Sequence, residues 1–254
     1  MLGFASLGSG SRGNATLVAD ADTCVLVDCG FSLAETRRRL ARLGREPSDL
    51  AGILVTHEHA DHVRGVARLA DHYGIPVWLT RGTAAAIRWP RGVTLCEVGA
   101  GRPFTLGSLR VEPVAVPHDA REPVQYAISS GARRVGVLTD LGAVTPAVVA
   151  HFRHCDGLFL EANHDPRLLA TGPYPPALRR RVGGAFGHLS NGQAVGLLKR
   201  IELGRIRWLV LGHLSEKNNC RTRLEAAVAP LLAGRVPWAV ACQERGVPWQ
   251  WIDY

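Results

Sequence analysis

No two cysteines in this 254-residue chain stand at CxxC spacing, and the six present (Cys24, Cys29, Cys96, Cys155, Cys220, Cys242) are scattered. That distribution argues against a disulfide framework and for free thiols in a reducing cytoplasm. No apolar run approaches the length of a bilayer-spanning helix, so no membrane partner is expected. The N-terminal stretch Met1 to Leu7 has no basic n-region and runs into glycines, unlike a secretory signal. Low-complexity tracts, long linkers and tandem repeats are missing too, and one domain over residues 1–254 is expected. Acidic side chains are the scarcer sign: 22 Asp and Glu against 30 Lys and Arg give a net charge of +8. That balance favours a polyanionic partner, nucleic acid above all, although an arginine-rich composition with no specific meaning gives the same sum.

What is present is concentrated. His57-Glu58-His59-Ala60-Asp61-His62 puts three imidazoles and two carboxylates directly after the apolar run Ile53-Leu54-Val55. The run is short and β-branched and reads as a buried strand, so the polar cluster sits where a strand gives way to a loop. Alternation along an extended backbone lets His57 and His59 point to one side, towards one metal ion. Asp61 and His62 open the next helix and can serve a second. Entering a helix needs one cap, not this many metal-competent groups. Imidazole with carboxylate suits zinc, manganese or iron rather than calcium. Glu58 and Ala60 read as spacers.

Other apolar runs end in the same way: Asp28 after Val25-Leu26-Val27, His118 after Val114-Ala115-Val116-Pro117, Asp140 after Val135 to Thr139, and His213 after Leu209-Val210-Leu211-Gly212. Each alone could simply start a loop; together with the hexapeptide they form a coherent two-metal set. Around them, short strands are expected at Phe4–Leu7, Thr16–Ala19, Val25–Asp28 and Ile53–Thr56. A helix is expected from Leu33 to Leu43 and another across Val63 to Tyr73. Hairpins turning at Gly107-Ser108 and Ser130-Gly131 should fill Val93 to Leu138. Alternating helices and strands follow, and a strand pair at Trp238–Cys242 and Val247–Ile252 is expected to close the chain. Mixed hairpins and strand–helix units argue for a layered α/β sandwich. Pro173-Tyr174-Pro175-Pro176, followed by Arg179-Arg180-Arg181, reads as an irregular loop overhanging the site.

The order Asp28, HxHxDH, His118, Asp140, His213 resembles the five motifs of the metallo-β-lactamase-fold hydrolases. Several segments resemble the YycJ/WalJ-type members: Ser6-Leu7-Gly8-Ser9-Gly10-Ser11-x-Gly13-Asn14, Val55 to His59, Leu138-Thr139-Asp140-Leu141-Gly142, Glu161-Ala162-Asn163-His164-Asp165, Gly187-His188-Leu189-Ser190-Asn191 and His213 to Asn219. The match covers nearly the whole chain, with Arg12 and Lys217 as departures that add positive charge. The resemblance implies a four-layer αββα sandwich with the metal site at one edge of the two sheets. It implies two divalent metal ions (zinc or manganese, with iron also compatible). His57, His59 and His118 would hold one, Asp61, His62 and His213 the other, with Asp140 between them and Asp28 orienting a ligand imidazole.

It further implies a metal-dependent phosphodiesterase, a DNA exonuclease of 5′-to-3′ polarity; related tRNA 3′-processing enzymes act on RNA. The expected chemistry is in-line attack by a dimetal-bridging hydroxide. Asp61, His188 and Glu161 are the catalytic candidates: an alkoxide leaving group needs a proton, and His188 poised by Glu161 can supply it. The alternative is that His188 merely precedes a helix capped by Ser190. Ser9, Ser11, Asn14, Ser190, Asn218 and Asn219 are candidate substrate contacts. The glycines of the Gly8–Asn14 loop could present N–H groups to phosphate or merely permit a tight connection. Arg179 to Arg181 could meet a nucleic-acid backbone or form a solvated face. His72, His151, His154 and His164 have no ligand-like context. A small-molecule ester, lactone or thioester hydrolase on the same fold is the rival enzyme, and a scaffold without chemistry is a third reading that a complete ligand set disfavours. Native metal, DNA versus RNA, exo- versus endonuclease action and oligomeric state stay open at this level.

Overall fold

The computed structural model describes residues 1–252. Its first strands are β1 (Leu2–Gly8), β2 (Ala15–Ala19), β3 (Cys24–Val27), β4 (Leu50–Leu54), β5 (Val77–Leu79) and β6 (Leu95–Glu97). Then come β7 (Phe104–Leu106), β8 (Leu109–Ala115), β9 (Val124–Ser130), β10 (Arg133–Leu138), β11 (Gly157–Glu161), β12 (Trp208–Gly212), β13 (Trp238–Val240) and β14 (Val247–Ile252). Among the described residues they form two seven-stranded sheets, ordered β14-β1-β2-β3-β4-β5-β6 and β13-β12-β11-β10-β9-β8-β7.

Strand alternation builds the layers. Leu2 and Phe4 of β1 point into the space between the sheets, where they meet Val135, Val137, Phe159 and Val210. Ala5 and Leu7 of the same strand turn outward and pack with Leu40, Val66 and Leu69 of covering helices. On the second sheet Leu158 and Leu160 face outward against Val148, Phe152, Leu197 and Leu224, while Phe159 faces in. Strands apolar on both faces must be covered on both faces, which yields helix–sheet–sheet–helix. Each fully buried Leu or Phe contributes on the order of 1.5–3 kcal/mol of transfer free energy. No helix of the described residues is long and apolar enough to cross a membrane.

Three expectations need correction. The helix expected across Val63 to Tyr73 is two pieces, Ala60–Val63 and Val66–Tyr73. The helix breaks at Gly65, whose N–H leaves the helical ladder to donate to the Cys29 carbonyl (2.8 Å), and which packs so close that an added Cβ would stand 2.0 Å from the Phe31 carbonyl oxygen. The segment read as a loop from Pro173 to Arg181 contains a helix, Pro176–Val182, started by prolines whose missing N–H groups a first turn does not need. The two closing strands do not pair with each other: β13 runs parallel to β12 in one sheet, and β14 runs antiparallel to β1 in the other.

The topology sends the polar residues to one edge. β3 and β4 run parallel, as do β10, β11 and β12. β8 and β10 are both antiparallel to β9, so they share a direction as well. Asp28, His57, His118, Asp140, Glu161 and His213 therefore all lie at or just beyond the C-terminal ends of these strands. The sheets are tied together there by the Val124 N–H donating to the Thr56 carbonyl (3.0 Å) and the Tyr126 hydroxyl donating to the Val55 carbonyl (2.8 Å).

Candidate metal centre

Three strand ends leave ordinary backbone geometry at this edge. Asp28 (φ 61°), Asp140 (φ 49°) and His213 (φ 54°) occupy the left-handed region, and they are the described non-glycine residues that do so. Such conformations cost on the order of 1–3 kcal/mol each and persist where surrounding contacts over-determine them. Here each one swings a side chain from the strand end into a common cluster.

Four groups of potential ligand atoms result, each within 4.8 Å: His57, His59 and His118; Asp61, His62 and His213; His57, His62 and Asp140; and Asp140, Glu161, His188 and His213. All seven residues expected as ligands fall in these overlapping sets. Their second ring nitrogens are already engaged. His57 Nδ1 meets the Thr56 hydroxyl (2.9 Å), and His62 Nδ1 meets Asp28 Oδ2 (2.8 Å). His118 Nδ1 donates to the Gly187 carbonyl (3.0 Å), and His213 Nδ1 meets Glu161 Oε1 (3.0 Å). Anchoring one nitrogen to a carboxylate, hydroxyl or carbonyl fixes the tautomer and turns the other inward, as ligand imidazoles require.

The inward atoms fit a divalent ion. His57 Nε2 and Asp140 Oδ2 are buried without a hydrogen-bond partner; the latter abuts His62 Nε2 without suitable geometry. His118 Nε2 and His59 Nδ1 converge to 3.2 Å. Burial, with His62 adding to it, holds the His57 imidazole well below its usual pKa, and burial also lowers that of His118, so both keep a lone pair available. Burial would also lower His62 and His213, but the surrounding carboxylates together outweigh it, Asp140 foremost with Asp28 and Asp61 at His62 and with Asp61 and Glu161 at His213, and raise both well above the usual imidazole range. Buried carboxylates thus draw positive charge onto their neighbours, which is the role a metal cation fills in such a donor set.

Asp28 is buried beneath the cluster. Its carboxylate accepts from the Thr56 N–H and hydroxyl (both 2.8 Å) as well as facing His62. Asp28→Asn keeps a residue that tolerates the left-handed backbone but removes the charge behind His62. It is expected to weaken metal binding by roughly 10–100-fold, measured by competition with a chromogenic chelator. Unchanged affinity would remove Asp28 from the orienting role.

Beside the cluster opens a cavity of about 330 Å³, lined among others by Asp61, Asp140, His188 and His213. His188 Nδ1 is turned inward to Glu161 Oε1 (2.7 Å) and Asp140 Oδ1 (2.9 Å), which leaves Nε2 to the cavity. Burial alone would lower the His188 pKa; the negative Glu161 and Asp140 bring it up to about 9. Glu161 is wholly buried, and burial pushes its carboxyl up, but His188 opposite outweighs this and holds it down at about 2. Its Oε2 accepts from the Leu141 (3.2 Å) and Leu189 (3.0 Å) amides, so it cannot swing.

Most of the expected substrate contacts turn out to face inward. Ser9 binds Asn14 and accepts from the His213 amide (2.7 Å). Asn14 braces Asp61 and His62 through its Nδ2 (3.3 and 3.2 Å). Ser190 caps the helix Asn191–Leu198 in a reciprocal box with Gln193. Asn218 is buried against Ser215, and Asn219 donates to the Ala162 and Asn163 carbonyls (2.9 and 3.1 Å). Asn218 Oδ1 is left buried without a partner, while Ser9, Asn14, Ser190 and Asn219 meet internal ones; of the six, Ser11 alone lines the cavity. Arg12 is held by Glu216 (2.8 Å) and Glu244 (2.6 Å), and Arg179 by main-chain carbonyls. His164 is buried rather than solvated, with its Nδ1 unpartnered.

Sequence reasoning missed Thr56, whose hydroxyl joins Asp28 to His57, and Asp119, whose carboxylate lies 3.5 Å from His118 Nε2 and 3.9 Å from His59 Nε2. A carboxylate adjoining a strand-end histidine was the available signal for Asp119.

Residues 23–214 match the beta-lactamase superfamily domain. The chain is 33% identical to the exodeoxyribonuclease WalJ of Streptococcus pneumoniae (serotype 2, strain D39 / NCTC 7466) over 86% of its own length and 83% of that protein. It is 32% identical to the exodeoxyribonuclease YycJ of Bacillus anthracis over 91% of its own length and 89% of that protein. The metallo-β-lactamase-fold protein YhfI of Bacillus subtilis superposes with a TM-score of 0.74 at 18% identity, covering 95% of this chain and 97% of that one. The fold, the convergent His and Asp donors and these likenesses agree: the chain belongs to the metallo-β-lactamase-fold metal-dependent hydrolases, alongside the WalJ and YycJ proteins.

Proposed function

We propose that this protein is a phosphodiesterase that removes nucleotides from DNA ends, with 5′-to-3′ polarity as its working direction. The observation that carries the reading is His188. An imidazole backed by a buried, doubly anchored carboxylate stands on the cavity wall beside the donor cluster. A nucleic-acid phosphodiester expels an alkoxide that must be protonated as it leaves, and an imidazolium at this position can supply that proton. The net charge of +8 suits a polyanionic substrate, and the two relatives of about one-third identity carry exodeoxyribonuclease names.

In this reading His57 Nε2, His59 Nδ1 and His118 Nε2 would hold one divalent ion. Asp61, His62 Nε2 and His213 Nε2 would hold a second, with Asp140 between the two sets. When bound, such a pair supplies a water of lowered pKa and a Lewis-acid clamp on the phosphate oxygens. The chain does the rest. Asp28, Thr56, Gly187 and Glu161 keep the ligand imidazoles in their tautomers and orientations. Asn14 fixes Asp61 and His62 against each other. Glu161 and Asp140 stabilise the imidazolium form of His188, which donates its Nε2 proton to the departing oxygen and regains one from solvent through the cavity.

The test is a panel of 5′- and 3′-labelled DNA and RNA with a lactone control, assayed with manganese and with zinc, and with His59→Ala as the inactive reference. Stepwise loss of nucleotides from DNA, absent in His59→Ala, is the expected result. Lactone hydrolysis with intact oligonucleotides would overturn the reading.

A further inference from the structure

Among the described residues, the large apolar side chains left exposed are Met1, Leu95 and Phe186. Single exposed apolar side chains are ordinary on a protein surface. Phe186, 62% exposed, differs in where it is and how it is held. It follows the helix Pro176–Val182 and immediately precedes Gly187 and His188, both of which line the cavity. Its main chain is pinned from several sides. The Phe186 carbonyl accepts from the Asp119 amide (3.0 Å), and the Gly187 carbonyl accepts from His118 Nδ1 (3.0 Å). Gly142 packs so tightly that an added Cβ would stand 2.4 Å from the Ala185 carbonyl and 2.5 Å from the Gly187 nitrogen. A main chain this constrained fixes the position from which the exposed side chain projects.

Asp119 links the Phe186 main chain to a cation. Its amide binds Phe186, while its carboxylate takes the Arg181 guanidinium and faces His118 and His59 (3.5 and 3.9 Å). Gly187 lies against the same stretch, since an added Cβ there would stand 2.2 Å from the carbonyls of Arg181 and Val182. Arg181 is the Lys or Arg side chain among the residues lining the cavity. One short segment thus carries a guanidinium on the cavity wall and an exposed aromatic side chain directly before two cavity-lining residues.

Resting on the nucleic-acid reading above, we infer that Phe186 and Arg181 form a nucleotide subsite outside the donor cluster. Phe186 stacks on a base next to the scissile phosphate, and Arg181 holds a neighbouring phosphate. A base is free to stack on a protein ring only when it is unpaired, so the subsite selects a single-stranded or frayed end. The face carries no hydrogen-bonding pattern, so it accepts every base.

The experiment uses the metal-loaded full chain and compares a labelled single-stranded oligonucleotide with bis(p-nitrophenyl) phosphate, which has no base to stack. Phe186→Ala is expected to raise the oligonucleotide KM about tenfold with little change in kcat, a size typical of losing one stacked base. The ratio of kcat/KM between the two substrates falls by the same factor. Phe186→Trp, which keeps an aromatic face, holds KM within about twofold, and Arg181→Gln raises KM in the same sense as Phe186→Ala. A wild-type-like KM in Phe186→Ala, or equal losses on both substrates, would overturn the subsite while leaving the nuclease reading intact. A wild-type protein that hydrolyses the small diester and no oligonucleotide would overturn both.

Discussion

Asp140→Ala is expected to lose metal and activity together, with DNA hydrolysis down by more than about a thousandfold. The side chain is buried at the centre of the cluster, with Oδ1 near His188 (2.9 Å) and His213 (3.0 Å) and Oδ2 against His62. It belongs to two of the four potential ligand groups, as expected of a residue proposed to join two ions. Metal ions contribute several kcal/mol of transition-state stabilisation, and each 1.36 kcal/mol is a factor of ten in rate. Alanine also sits poorly at φ 49°, so Asp140→Asn is the companion variant: asparagine accepts the left-handed backbone and removes the charge. Metal content by atomic emission and thermal unfolding would be read on both. Two retained equivalents of metal in the asparagine variant would defeat the bridging role.

The second large effect separates proton donation from metal binding. His188→Ala is expected to slow oligonucleotide cleavage by roughly 10²–10⁴, the range of general acid catalysis. A nitrophenyl phosphodiester should lose far less, because its phenolate departs without needing a proton. Metal content is expected to persist, since Glu161 Oε1 and Asp140 Oδ1 both keep His213 Nδ1 at 3.0 Å when the His188 ring is gone. Equal losses on the two substrates would mean that His188 holds the site together rather than donating a proton.

Local chemistry was readable from chain order alone. The HxHxDH hexapeptide is self-contained, because ligand type and spacing act over a few residues. Apolar runs ending in Asp28, His118, Asp140 and His213 were equally plain, since a strand that must be buried announces itself in composition and stops at a polar residue. Strands apolar on both faces likewise implied two covered sheets.

Other features depend on which strand lies beside which. The left-handed backbone at Asp28, Asp140 and His213 is imposed by neighbours; Asp and His enter that region more readily than most residues, but too rarely for the sequence to mark which of them will. Ser9, Asn14, Ser190, Asn218 and Asn219 sit in motif-like segments that suggest ligand contact. Yet the folded chain spends their hydrogen bonds on itself, a matter of distances between residues up to 204 positions apart. Asp119 and Phe186 gain their place only when the loop after β8 meets the segment before His188. Ligand identity is a property of short sequence; the surroundings that direct those ligands are set by contacts between distant segments, which exist only once the two sheets have closed on each other.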